Sequence, residues 1–269
     1  MKKSNQKKQR VKTRKRKAAS GRQRSAAVIT CCLLLITGIL CAIIAGAHES
    51  TKKPVLFETS EKTVKGIDVS SHNGEIDWNT VAQSTDFVII RVGYRGYGTG
   101  KITQDANFEQ NIKGATDAGI RTGVYFYSQA TTEQEAREEA EFTLKAIANY
   151  NISLPVFIDF EYAHGSNGEL TGRLYDANLS SAEAAKIINA FCGRVSRRGK
   201  FSGVYANSSV LNKSIKTSAL NKDAYIWVAD YNKAVTYLGS YDLWQHTKKG
   251  SCNGISSKYV DENIWFVKN

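Results

Sequence analysis

The chain has 269 residues, with 37 Lys and Arg against 25 Asp and Glu and a formal net charge of +12. Twelve of the bases and none of the acids fall within residues 1–24, so the body is formally neutral and has no net basic charge to draw it to a nucleic acid. The four histidines are scattered without metal-ligand spacing, and Cys192 and Cys252, the two cysteines of the body, lie far apart in sequence; neither a metal nor another cofactor is expected.

The segment after the basic tail accounts for that charge. Residues 26–47, "AAVITCCLLLITGILCAIIAGA", run for 22 positions without a charge, about the length a helix needs to cross the roughly 30 Å hydrocarbon core of a membrane. A basic flank on the N-terminal side keeps that end in the cytoplasm. The organisation read from this is a basic cytoplasmic tail over 1–25, a single-pass transmembrane anchor over 26–47 and an extracellular body. Small residues at 45–47 also fit a cleavage site, so secretion after cleavage near Ala47 stands as the alternative. Residues 48–63 are polar and hold Pro54, which reads as a linker, leaving 64–269 as the body domain.

Strand-like and helical runs alternate from there. "VKGIDVSS" (64–71) and "FVIIRVGY" (87–94) have β character, and "ANFEQNIKGATDAG" (106–119) is helical with Gly119 as a stop. "RTGVYFYS" (121–128) is a strand. The helix over 131–150 has Thr131 or Thr132 as its cap and acids massed in its first turns, where the helix dipole favours them. "PVFIDFEY" (155–162) is a further strand. The helix over 180–199 opens on a Ser180–Glu183 capping box and ends at Gly199. "FSGVYANS", "AYIWVADY", "YDLWQHT" and "YVDENIWFV" complete the strands. The glycine-rich run 93–100 lacks the Lys-Ser/Thr of a phosphate loop and reads as a flexible loop at a strand end. At least eight strands with helices between the early ones indicate an α/β fold, an irregular TIM-like β/α barrel whose last strands are too closely spaced for full helices.

In "PVFIDFEY" the acids Asp159 and Glu161 lie two apart, so they project to one face of the strand. They are either hydrated or ion-paired at a fraying strand end, or they form a functional pair in which crowding raises a pKa. The barrel rule, which gathers functional groups at the C-terminal strand ends, favours the second reading. Asp68 falls toward the end of the first strand and Asp261 near the start of the last. Tyr94, Tyr125, Tyr127, Tyr205, Trp227 and Trp244 are candidates to stack on a substrate at the same mouth, with core packing as the alternative for each. Asp230 and Asp242 also stand near strand ends and read as solvated loop acids.

The ordered set "KGIDVSSHNGEIDW", "GVYFYSQATTEQEAREEAEF", "PVFIDFEY", "GVYANSSVL", "IWVADY" and "DLWQHT…VDENIW" resembles the glycoside hydrolase family 25 lysozymes, the Chalaropsis-type muramidases, over about 64–269. The resemblance implies an irregular β/α barrel that cleaves the β-1,4 bond between N-acetylmuramic acid and N-acetylglucosamine, with peptidoglycan glycan strands as partner. It implies Glu161 as general acid, Asp159 as its partner carboxylate, and Asp68 and Asp261 as acids lining the cleft. A glycosidic oxygen leaves poorly until protonated, and the second acid either stabilises oxocarbenium-like charge or orients the 2-acetamido group of a self-assisting substrate. One departure is "IIRVGYRG": Arg91 is kept, but Tyr94 stands where many relatives carry an acidic element. A membrane-tethered wall-binding module without catalysis is the rival function.

Overall fold

The computed structural model describes residues 53–267. The basic tail and the apolar run expected as an anchor lie outside the described residues; among those described, no helix is long and apolar enough to cross a membrane. Eight strands close into a barrel: β1 (Thr63–Val69), β2 (Phe87–Arg95), β4 (Arg121–Ser128), β5 (Val156–Phe160), β8 (Ser202–Asn207), β9 (Tyr225–Ala229), β10 (Leu243–Gly250) and β11 (Val260–Phe266), in that order around the ring. Neighbours from β1 to β10 are parallel, whereas β11 runs antiparallel to both β10 and β1. That reversal places the beginning of β11, with Asp261, beside the end of β1. The short β3 (Ile102–Gln104) pairs on β2 outside the ring, and β6 (Ala163–His164) with β7 (Leu170–Thr171) forms a separate hairpin after β5.

Helices cover the outside unevenly. The long ones are α2 (Phe108–Asp117), α3 (Glu133–Ala146) and α5 (Ser181–Ser196); α1 (Trp78–Val81), α4 (Arg173–Asp176) and α6 (Ser208–Lys213) are one turn or little more. No helix lies between β9 and β10 or between β10 and β11. Local chemistry sets the long helices: Thr132 caps α3 by accepting from Glu135 N at 3.2 Å, and Ser180 and Glu183 form the reciprocal box at α5. Gly119 and Gly199 follow α2 and α5 at φ +75° and +71°, a backbone region that glycine enters without a Cβ penalty.

Strand parity splits the core in two. Val88, Ile90, Val124, Phe126, Val156, Ile158 and Phe160 face outward onto the helices. Phe87, Ile89, Phe157, Tyr225, Trp227, Leu243 and Trp265 fill the barrel interior. The segment expected as a linker joins them: Leu56 and Phe57 are buried in that interior cluster, and the Phe57 ring meets Trp265 and Phe87 at 5.3 and 5.8 Å. The domain therefore begins before residue 64. Cys192 and Cys252 are both free, the first buried.

Candidate active site

Register brings the sequence-distant acids together. Asp68 on β1 pairs across the ladder with Asp261 on β11. Tyr127, Asp159 and Tyr205 sit side by side across β4, β5 and β8, and Arg91 pairs with Tyr125. Glu161 follows one residue past the end of β5 on the same side as Asp159. A register shift in β2 between Arg91 and Gly93 adds a residue, so that Tyr94, and not Gly93, pairs with Tyr127 and lines the cleft.

Asp68 is held on two sides. Its Oδ2 accepts from Gln245 Nε2 and from Asn263 Nδ2, both at 2.8 Å. Each amide is itself oriented: Trp227 Nε1 donates to Asn263 Oδ1 at 2.8 Å, and Tyr205 and Tyr231 both donate to Gln245 Oε1, at 2.9 and 2.7 Å. An indole N–H only donates, which fixes the Asn263 amide with its nitrogen toward Asp68. On the opposite wall, Arg91 donates to Asp105 at 2.7 Å and to Ser71 Oγ at 3.2 Å, while its guanidinium stands 5.8 Å from the Tyr94 ring.

Asp159 is 4% exposed, and its Oδ1 has no hydrogen-bond partner among the described residues. Burial, then the nearby Glu161 and Asp68 charges, push its pKa well up against the opposing pull of Arg91. Asp68 is likewise raised by burial and by Asp261, and its two amide donors pull the other way. Burial raises Glu161 to about 7, with His164 and Lys248 lowering and Asp261 raising it. Asp261 rises to about 6 by burial, opposed by Lys248. Four crowded carboxyls cannot all ionise at neutral pH, so the cluster retains a proton there. Asp68 and Asp159 are buried while Glu161 and Asp261 are half-buried, and of those two accessible acids Glu161 has the higher pKa.

Two adjoining hollows, of about 800 and 380 Å³, meet at Tyr125, Asp159, Glu161 and His164. The larger is walled by Tyr94, Tyr97 and Tyr127 with Arg91; the smaller by Asp68, Tyr205, Tyr231, Lys248 and Asp261. An elongated ligand lying through both would pass the acids at its middle. Arg95 shapes the larger arm from behind: it donates to Glu139 at 2.7 Å and to the Gly100 carbonyl at 2.9 Å, tying the 96–100 loop to α3. That loop is thus anchored, and not simply flexible.

The expected aromatic residues divide. Tyr94, Tyr125 and Tyr127 are half-buried and line the cleft. Tyr205 and Trp227 line its floor but are buried, with ring centres 4.6 Å apart, and act through their polar ends on Gln245 and Asn263. Trp244 is not at the mouth. Leu243 and Gln245 take the inward positions of β10, so Trp244 faces outward, packs on the outer core and donates to the Asp230 carbonyl at 2.6 Å. Asp230 and Asp242 are not solvated either; both are buried. Ser208, Asn232 and Thr236 all donate to Asp230, holding its carboxyl far below the usual range, and Asp242 accepts from Ile226 N at 2.9 Å and pairs with Lys53. Gln245, Asn263, Tyr231, Tyr97, His164 and Lys248 belong to the site without having been singled out from the sequence. Gln245 and Asn263 were within reach of strand parity, being two residues from Leu243 and from Asp261.

The sequence profile of the glycosyl hydrolases family 25 matches residues 67–255. The chain belongs to that family. Among its relatives are an autolytic lysozyme of Clostridium acetobutylicum, 26% identical over 201 residues covering 74% of this chain and 55% of the relative, and lysozyme M1 of Streptomyces globisporus, 26% identical over 81% of this chain and 72% of the relative. The modular autolysin LytC of Streptococcus pneumoniae, solved with a synthetic peptidoglycan ligand, superimposes with a TM-score of 0.65 at 30% identity, covering 78% of this chain and 48% of its own. A family 25 glycosyl hydrolase from Bacillus anthracis shares the fold at a TM-score of 0.62 and 21% identity, with 79% and 93% covered. The chain spans about half the length of the clostridial and pneumococcal family members.

Proposed function

We propose that this domain is a peptidoglycan hydrolase that cleaves the β-1,4 bond between N-acetylmuramic acid and N-acetylglucosamine. The observation that carries the reading is the four-acid cluster, with Asp159 and Glu161 at the junction of the two arms, Asp68 and Asp261 in the smaller one, and Glu161 raised to about 7. An acid still protonated near neutral pH can protonate the glycosidic oxygen as the bond to the anomeric carbon breaks. Asp159, whose buried Oδ1 has no partner among the described residues, is suited to accept from the N–H of a 2-acetamido group. That contact turns the acetamido oxygen toward the anomeric carbon, where it forms the new bond as the old one leaves. Water then opens the ring so formed, its proton returning to Glu161 and its hydroxyl remaining on the sugar. Asp68 and Asp261 supply negative charge on the opposite wall while positive charge develops. A module that only binds glycan needs no such cluster.

The relatives named as lysozymes, and the pneumococcal autolysin with its peptidoglycan ligand, support the substrate. The uncharged run 26–47 behind twelve basic residues supports a single-pass anchor with the N-terminus in the cytoplasm and the domain on the cell-wall side. Incubating residues 52–269 with purified peptidoglycan and identifying the new reducing end by mass spectrometry tests the activity. Fragments ending in reducing N-acetylmuramic acid are expected; reducing N-acetylglucosamine, or no release, contradicts the proposal. For the anchor, full-length protein is expected in the membrane fraction, and a mature N-terminus at His48 in the medium contradicts it.

A further inference from the structure

Tyr231 combines an exposed ring with a hydroxyl that reaches into the site. It is 48% exposed at the rim of the smaller arm, with Lys248 Nζ 5.3 Å from its ring centre. Its hydroxyl nevertheless reaches inward, 2.7 Å from Gln245 Oε1. Gln245 in turn commits its nitrogen to Asp68 Oδ2, and none of the described residues hydrogen-bonds the other oxygen of that carboxyl, Oδ1. A carbonyl oxygen offers two lone pairs, and on Gln245 both are used, one by the exposed Tyr231 and one by the buried Tyr205. While either phenol remains, the amide stays turned with its nitrogen toward Asp68. With both gone, only the Asp68 carboxylate, which repels an amide oxygen, still selects the end that faces it, and the support behind the amide is lost.

We propose that Tyr231 is a positioning and specificity residue for the glycan in the smaller arm: its ring supports a sugar there, and its hydroxyl, with that of Tyr205 as the fixed second donor, sets the orientation of Gln245 and so of Asp68. The inference rests on the glycosidase reading of the site but concerns a residue outside the four acids. It links the arm beyond Glu161 to Asp68 through one hydrogen-bonded chain, Tyr231 to Gln245 to Asp68. Both phenols already hold Gln245, so a sugar on the Tyr231 ring rests on a side chain that is itself fixed to the amide.

The test is a double-mutant cycle on the full chain. Tyr231→Phe keeps the ring and should lower kcat on peptidoglycan about two- to threefold with little change in KM. Tyr231→Ala should in addition raise KM several-fold. Tyr205→Phe alone should cost a similar few-fold in kcat. The pair Tyr205→Phe/Tyr231→Phe should cost at least about tenfold more than the product of the single losses, because groups sharing one partner do not act additively. Thermal unfolding of each variant shows that the fold is kept. A carbon-13 titration of the Asp68 carboxyl provides a reading that does not depend on turnover. The titratable groups that face Asp68 are Asp261 on β11, Asp159 and Glu161 at the end of β5, Tyr125 on β4, Tyr205 on β8 and Tyr231 after β9, with Lys248 on β10 lining the same arm. Only the two phenols are replaced, and burial raises both above the ordinary tyrosine range, so they carry no charge where carboxyls titrate and a shift belongs to the amide. Loss of a donor to the anion raises the pKa, so the double variant should titrate higher than wild type while each single variant moves little. Multiplicative single losses, or an unmoved Asp68 titration in the double variant, overturn the proposal. A wild-type protein inactive on peptidoglycan with the Asp68 shift intact would instead refute the glycosidase reading and leave the clamp standing.

Discussion

Lys248 has no part in bond breaking, yet its removal should move the pH dependence of the reaction in a fixed direction. Its charge lowers the pKa of both Glu161 and Asp261. Lys248→Met deletes that pull, so both acids should keep their protons to higher pH. Lys248 is exposed, and pairs of exposed charges are worth about 0.2–1 kcal/mol. With 1.36 kcal/mol to a pKa unit, the alkaline limb of the kcat/KM profile should move up by about 0.15–0.7 unit from a wild-type position near pH 7. Asp261→Asn acts with the opposite sign. Above about pH 6 its carboxylate is charged and raises Glu161, so its neutral replacement should move the limb down. The assay is release of reducing ends from purified peptidoglycan between pH 4 and 9 at constant ionic strength, since salt screens both effects. A limb that moves downward in Lys248→Met, or that stays in place in both variants, would refute the assignment of that limb to Glu161.

Stability should follow the same charges. For carboxyls whose folded pKa is raised, the native state binds more protons than the unfolded chain between about pH 4 and 7, so their contribution to stability falls as pH rises through that window; Glu161→Gln should therefore raise the melting temperature at pH 7.5 by several degrees and change it little at pH 4. Arg95 and Glu139 form a buried pair, and Arg95→Met leaves the acid uncompensated, so urea unfolding should show a loss of about 3–5 kcal/mol. Trp244→Ala should lower the melting temperature without weakening glycan binding, because the ring serves the outer core. Tyr127→Ala should do the reverse, and isothermal titration with a soluble glycan fragment separates the two.

Much of this was legible from the chain because period-two alternation and the barrel rule act on short segments. Asp159 and Glu161 share a face by spacing alone, and the capping box at Ser180 and the stops at Gly119 and Gly199 are local chemistry. Asp261 needed more. It stands near the start of its strand, and only the antiparallel run of β11 carries that end to the mouth, beside Asp68. Trp244 went astray because residue type outweighed parity: Gln245, the less conspicuous neighbour, takes the inward position and holds Asp68. Asp230 and Asp242 read as solvated loop acids because the donors that bury them, Ser208, Thr236 and the Ile226 amide, come from other parts of the chain. Leu56 and Phe57 sit among polar residues with no period, and their place inside the barrel follows from the rings of Phe87 and Trp265, which no local pattern reveals.

The central claim is that Glu161 donates the proton that lets the glycosidic bond break. Glu161→Gln preserves the shape of the side chain and removes the transferable proton, and general acid catalysis contributes about 10²–10⁴-fold. Turnover of purified peptidoglycan by this variant, measured at pH 6 with its fold verified by circular dichroism, should fall at least about a hundredfold. A variant that folds and turns over within a few-fold of wild type would contradict the account.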